Sequence, residues 1–472
     1  MDGLRYIGHC ETSSAVMPRN DTGRVNRRTF IKTAGAGGVV GLAGCVSFGG
    51  DDSESTTTTE SGGNGGDGDD GATTTTESAP EQIVFGQPGA LTGAWDFLQP
   101  GVSQAADAAV KHVNDAGGPL GAELVLKRRD TGVDPTEART VTTQLVENDD
   151  AAAIIGLFSS EINPLWDYLQ ELQTPVVTNW PGSTFLDTHG GDKGTPGDVS
   201  DDEWVWRSIV GDTVHTSGNA AYAMEQGFEN IGVINGNTEG ERSYAEGFLA
   251  AFENQGGSVA NRVEIPLGES SYQSALSRLF QEDFDAFLVS LPQESAITLL
   301  SDWSDGGYGG TPILSDTLAQ QAVIDQVGSD LHGAWAAVPG RSGPSYDFFE
   351  STYQNHGDAD INGWTPPTWD AVIVTALAIE RAGEASPEAI QQNLGPVSRE
   401  GGTTVTSFEE GKEALANGEE INYQGAATPT NFTAHGNVFG SVSIMTAQDG
   451  AFSQTAEVSA ETVREYVPEG EY

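Results

Sequence analysis

Lysine is almost missing from this chain, with only Lys32, Lys111, Lys127, Lys193 and Lys412 among 472 residues. Lysine and arginine together number 21 against 69 aspartates and glutamates, a formal net charge of −48. Such a chain repels phosphate backbones and anionic bilayers, which excludes nucleic acid as a partner. Self-repulsion on this scale opposes compaction in dilute buffer. In molar salt the Debye length falls to roughly 3 Å and the repulsion largely vanishes. The composition therefore predicts a halophilic protein. Cysteine is scarce too: Cys10 and Cys45 are the only two. From residue 46 onward there is no disulfide, no Cys-based zinc site and no cysteine nucleophile. Long apolar runs are also lacking. The best, Ala371 to Ile379, falls far short of the roughly twenty residues that span a bilayer. A hydrophobic content of 37% and nine tryptophans nevertheless supply a core and argue against disorder.

What is present begins with an export signal. Asn26 to Lys32 reads Asn-Arg-Arg-Thr-Phe-Ile-Lys, followed by a weakly apolar run from Thr33 and then Leu42-Ala43-Gly44-Cys45. That order predicts a twin-arginine signal ending in a lipobox, over residues 1–45, with Cys45 as the lipidated first residue after cleavage. Residues 46–80 carry two threonine tetrads, glycine, serine, eight acids and no base. This composition cannot bury enough apolar surface to fold and predicts a disordered acidic linker. The expected location is the outer face of the cell membrane, held by lipid on Cys45.

From residue 81 the pattern alternates short apolar runs with amphipathic segments. Ile83-Val84-Phe85 and Leu124-Val125-Leu126 read as strands, and Val102 to Asn114 as a helix stopped by Gly117-Gly118. Asp134-Pro135-Thr136-Glu137 caps a helix reaching about Asn148. Ala152 to Phe158 and Pro175-Val176-Val177 are further strands, with a helix starting near Asn163-Pro164 between them. A Gly/Asp/Pro stretch from His189 to Glu203 interrupts the rhythm. It resumes with strands at 231–234, 259–265, 286–290 and 312–314 and helices at 241–255, 272–281 and 294–303. Helical segments Ser345 to Gln354 and Thr368 to Arg381 follow, then strand-like runs Asn437 to Met445 and Ala456 to Val458. Strand–helix alternation with short connections predicts an α/β protein of two doubly wound parallel-sheet lobes joined by a hinge. No internal sequence repeat is strong enough to claim.

Catalytic constellations do not assemble. The chain has no Gly-x-Ser-x-Gly elbow, phosphate-binding loop, dinucleotide fingerprint or His-Glu-x-x-His. Its seven histidines are scattered singly, and His112, His189 and His356 read as solvent-facing. The expectation is a binding protein that is not an enzyme, without catalytic residues, cofactor or metal site.

Several motifs together resemble the branched-chain amino-acid-type substrate-binding proteins of ABC transporters. They are Gly86-Gln87-Pro88-Gly89-Ala90-Leu91-Thr92-Gly93, Val113 to Gly118, Asp134-Pro135, Ile154-Ile155-Gly156 with Ser159-Ser160, Tyr244 to Phe248, and Trp369-Asp370-Ala371. The resemblance spans residues 82–385 and implies the type I periplasmic-binding fold, with three hinge crossings. It divides the chain into lobe 1 at 81–205 plus about 340–425, and lobe 2 at about 206–339 plus 426–465.

Ser159 and Ser160 end a strand just before a helix, where hydroxyls and free N–H groups suit an α-carboxylate. Turn and capping chemistry uses the same residue types. The resemblance adds Ser183 and Thr184 as hydroxyls near that carboxylate and Trp95 and Phe97 as first-loop aromatics. It makes Tyr244 a cleft wall and Asp316 the partner of the ligand's ammonium. Trp180 beside Ser183 is wall or core. The implied function is capture of an amino acid, amide or urea for a membrane permease driven by an ATPase. A sensory receptor of the same fold and a lipid-anchored amidohydrolase are the alternatives. The chain is expected to be monomeric.

Overall fold

The computed structural model describes residues 80–93, 95–189, 204–339 and 343–467. The export signal, Cys45, the acidic linker and most of the 189–203 stretch lie outside the described residues. Two sheets organise the rest. The first contains β1 (Gln82–Gly89), β2 (Glu123–Asp130), β3 (Ala153–Ile155), β4 (Val176–Thr178) and β5 (Val205–Arg207), all parallel, in the order β2-β1-β3-β4-β5. Three-residue strands suffice at β3 and β4 because Ile154, Ile155, Val176 and Val177 are buried on both faces.

The second sheet repeats that plan. β6 (Asn230–Gly236), β7 (Ser258–Ile265), β8 (Ala286–Ser290), β9 (Thr311–Leu314) and β10 (Trp335–Pro339) lie in the order β7-β6-β8-β9-β10, again parallel. Both sheets thus follow the 2-1-3-4-5 winding of flavodoxin-like folds, a repeat of topology that the sequence does not display. One departure from purely parallel lobes appears. β11 (Val442–Gln448) and β12 (Ala451–Val458) extend the second sheet beyond β10 as an antiparallel ribbon. The chain crosses between the sheets after β5, after β10 and before β11, so two doubly wound lobes share a hinge.

Helix boundaries mostly follow the sequence signals. Asp134 Oδ1 accepts from the N–H of Thr136 at 2.8 Å and of Glu137 at 3.0 Å, starting the helix Pro135–Glu147. Gly118 N–H returns to the Val113 carbonyl at 2.9 Å, closing the helix Gln99–Asp115. The helix expected from Asn163 begins at Ser159 instead and runs to Leu172. Glu161, its third residue, accepts the Phe158 N–H at 2.8 Å and supplies a start signal that the more conspicuous Pro164 obscured. His112 is half-buried, not solvent-facing. It stacks on Trp369 at 5.6 Å and meets Phe348 edge-on at 5.2 Å, and burial lowers its pKa.

The helix Thr365–Ala382 is buried on all sides from Thr365 to Ile379 and packs against both the helix Gln99–Asp115 and the first sheet. Its Asp370 anchors the last hinge crossing. The carboxylate accepts from Tyr423 Oη at 2.8 Å, Ala426 N–H at 2.7 Å and Ala427 N–H at 2.8 Å. Glycine is required beside it, since a Cβ on Gly425 would stand 2.5 Å from Asp370 Oδ2. Asp370→Ala would leave two buried N–H groups and a phenol unpaired, so we expect a loss of about 2–4 kcal/mol. Denaturant titration in molar salt measures it.

Candidate functional site

Parallel winding sends the C-terminal ends of the strands of each sheet toward one edge, where the loops gather. The two edges face each other across a cavity of about 210 Å³. Its lining comes from behind β1 (Trp95, Leu98), β2 (Val133), β3 (Phe158 to Ser160), β4 (Trp180, Gly182) and β5 (Ile209, Asp212). From the second sheet come Thr238 to Glu241 behind β6, Ser290 and Leu291 at β8, and Ser315 to Thr317 behind β9. Drug-sized pockets occupy roughly 300–1,000 Å³. This cavity suits a smaller solute.

The first-lobe wall is aromatic. Phe158 stacks on Trp180 at 4.2 Å, Trp364 lies 6.1 Å from Trp180, and Trp95 completes the surface. Asp130 holds the loop carrying Trp95, accepting from the N–H groups of Leu91 at 3.0 Å, Thr92 at 3.2 Å and Gly132 at 3.0 Å, and from Thr92 Oγ1 at 2.6 Å. These bonds outweigh desolvation and lower its pKa. Two lining segments hold left-handed backbone at non-glycine residues, Val133 (φ 59) and Leu157 (φ 77). Such residues cost on the order of 1–3 kcal/mol and cluster at functional sites. Here they are held by Thr131 Oγ1, which accepts the Val133 N–H at 3.2 Å, and by Thr178 Oγ1, which donates to the Leu157 carbonyl at 2.7 Å.

The second-lobe wall is acidic. Asp212 begins the helix Asp212–Glu225 and is 8% exposed, and Asp316 follows β9. Burial raises the pKa of Asp212 well above the usual range, with the charge of Asp316 adding to it. Asp316 is pushed up to about 6 by burial. His215, also lining the cavity, is 1% exposed, its Nδ1 lies 3.8 Å from Asp316 Oδ2, and neither ring nitrogen has a hydrogen-bond partner among the described residues. Burial, with the charge of Arg207, lowers its pKa to about 3, so the imidazole is neutral at ordinary pH. Tyr244, buried alongside, accepts from Asn219 Nδ2 at 2.8 Å. Among the described lining residues there is no lysine or arginine. Arg207 lies deeper, paired with Asp187 and donating from Nη1 to the Ser183 carbonyl at 3.1 Å. Gly182 lets the two lobes meet at this point, because a Cβ there would stand 1.9 Å from Asp212 Oδ1.

The fold brings Trp95, Ser159, Ser160, Trp180, Tyr244 and Asp316 to the cavity. Phe97 stacks on Trp95 at 6.3 Å but points away from the lining and is 44% exposed. Ser183 and Thr184 do not line the cavity either. Ser183 Oγ donates to Glu239 Oε1 at 2.9 Å, and the Thr184 N–H donates to Ser243 Oγ at 3.1 Å. Asp212, His215, Glu239, Glu241 and Trp364 escaped sequence reasoning. A buried, mostly uncharged helix starting with an acid was the available signal for Asp212. Among the described residues no group of three or more His, Cys, Asp or Glu could hold a metal ion, and no helix is long and apolar enough to cross a membrane.

Residues 82–451 match the family model described as periplasmic binding protein. The chemotactic signal transduction system substrate-binding protein BasB of Halobacterium salinarum is 25% identical over 354 residues, covering 72% of this chain and 81% of that relative. The leucine-binding protein LivK of Thermotoga maritima superposes with a TM-score of 0.65 at 19% identity, covering 80% of this chain and 99% of that one. LivJ from Streptococcus pneumoniae, a branched-chain amino acid transporter substrate-binding protein solved with isoleucine, gives 0.64 at 17% identity, with 80% and 99% covered. Those structures share the fold, and the family is one of ligand-binding proteins. With a family model spanning most of its length and both sheets, this chain belongs to the periplasmic binding protein family.

Proposed function

We propose that this protein captures a small amino acid between its lobes at the outer face of the membrane and delivers it to an ABC transporter. The supporting observation is the polarity of the cavity. The amino-terminal end of the helix Ser159–Leu172, with Ser159 and Ser160, lies on one side, and Asp212 with Asp316 on the other. Backbone N–H groups at a helix start favour a carboxylate. Buried carboxylates favour an ammonium group, which replaces the water they have lost. The aromatic wall of Phe158, Trp180 and Trp364 would hold the side chain. Lobes assigned at 81–205 plus about 340–425, and about 206–339 plus 426–465, would close over it and shift an open–closed equilibrium without bond chemistry. Among the described residues, neutral His215 has no hydroxyl hydrogen-bonded to it.

A sensory role is the second reading, favoured by the likeness to a chemotactic substrate-binding protein. Deleting the gene and following both radiolabelled amino-acid uptake and taxis separates the two. Loss of taxis with uptake intact selects the receptor.

Binding itself is tested by a thermal-shift screen of amino acids, amides and urea in molar salt, followed by calorimetry. Asp316→Ala should weaken amino-acid binding by about 30-fold or more, the loss typical of breaking a buried charge pair, with the fold intact by circular dichroism. Unchanged affinity would remove Asp316 from the site. An ammonium ligand favours ionised carboxylates, whereas acid protonates them. Affinity should therefore rise with pH through about 6, where Asp316 titrates, and across the raised range in which the buried Asp212 ionises. His215, neutral throughout that range, adds no repulsion. The lipid anchor is tested separately: Cys45→Ser should release the protein to the medium, and continued membrane association would mean another attachment.

A further inference from the structure

Glu239 and Ser243 stand four residues apart on the helix Glu239–Asn254, a spacing that puts both side chains on one face. That face meets the first lobe beside the cavity. Glu239 Oε1 accepts from Asn163 Nδ2 at 3.0 Å and from Ser183 Oγ at 2.9 Å, while Asn163 Nδ2 also reaches Ser183 Oγ at 3.1 Å. One turn on, Ser243 Oγ accepts the Thr184 N–H at 3.1 Å. Its own hydrogen has a second destination, Asp212 Oδ2 at 3.0 Å. Asn163, Ser183 and Thr184 follow β3 and β4 of the first sheet, and Glu239, Ser243 and Asp212 belong to the second lobe. These bonds therefore join lobe to lobe directly, and no ligand atom takes part.

We infer that Glu239 and Ser243 are positioning residues that clasp the closed lobes and, through Ser243 and Asp212, tie the clasp to the charge in the cavity. Hydrogen bonds across a hinge exist only when the hinge is shut, so each adds to the closed side of the balance. Ser243 extends the effect to the occupant. A cation beside Asp212 keeps that carboxylate ionised, and an ionised carboxylate is the stronger acceptor for the serine hydrogen. With that hydrogen committed to Asp212, the serine oxygen presents its lone pairs to the Thr184 N–H, and the two bonds polarise one another. Apparent affinity scales with the fraction of molecules able to close. Loss of the clasp would weaken binding although neither residue need touch the solute's charged groups. The inference rests on the two-lobe binding reading for its consequence, but its test does not require a solute.

The experiment reads lobe separation in the full chain in molar salt. Cys10 and Cys45 are replaced by serine, and spin labels are placed at Thr140→Cys on the first lobe and Ser277→Cys on the second, both exposed positions. Without added solute, Glu239→Ala and Ser243→Ala should each shift the distance distribution toward open forms by about fivefold in population, the scale of one or two lost hydrogen bonds. Glu239→Gln keeps an acceptor oxygen and should stay with the parent, a rescue that a change of surface charge or general loosening would not produce. Circular dichroism and the unfolding midpoint identify any variant that fails to fold, and exposed Glu239 keeps at least one variant informative. A distribution unmoved by Glu239→Ala, or moved equally by Glu239→Gln, overturns the clasp. A screen in which no amino acid binds would defeat the proposed function while leaving this measurement readable.

Discussion

Asp212 and Asp316 face one cavity with no lysine or arginine among its described lining residues. Two carboxylates so placed lose hydration, which raises both affinities for protons, and the charge of Asp316 raises that of Asp212 further. The surrounding structure limits that cost without cancelling it. Ser243 donates to Asp212, the Thr317 N–H donates to Asp316 Oδ1 at 2.9 Å, and the neutral His215 beside Asp316 adds no charge. Under the proposed function, an ammonium group would offset what remains of that cost.

Both carboxylates line the cavity, and the architecture around Asp212 holds it there. Asp212 sits just past the first hinge crossing, where its N–H donates to the Gly182 carbonyl at 2.6 Å. Below it, Arg207 and Asp187 form a buried pair whose hydrogen bonds hold the 182–183 backbone. Asn437, on the last crossing, donates to the carbonyls of Leu186 and Asp187 at 2.9 and 3.0 Å. Two crossings are thereby tied to the same short segment. A charge bound against Asp212 would act on the place where the lobes turn.

The acid excess of the whole chain has a different physical meaning from these two residues. Most of its carboxylates are solvated and screened by salt. They carry no information about a ligand. Asp212 and Asp316 are set apart by burial and by their place beside the cavity, not by their chemistry, and Asp370, fully buried, serves the hinge with both carboxylate oxygens hydrogen-bonded. Buried aspartates in this chain, Asp187 with its Arg207 partner included, thus have different settings.

Periodicity and punctuation in the sequence determined the local elements: apolar runs that must be buried, helices that start at Asp134 and stop at Gly118, and hydroxyls or acids where strands end. Since parallel winding brings those ends to one edge, Ser159 and Ser160 could be read from position, whereas Trp95, Tyr244 and Asp316 followed from the family resemblance and Trp180 stayed open between wall and core. Pattern cannot report which ends meet across the cleft. Trp364 reaches the Trp180 carbonyl from 184 residues away, and Asp212 and His215 lie in a helix whose sequence looks like ordinary core. Only the tertiary structure decided that Ser183 and Thr184 turn from the cavity to grip the opposite lobe. A side chain at a strand end can point either way, and the choice belongs to a partner, Glu239 or Ser243, that is brought near only when the chain has wound twice and folded back across its hinge.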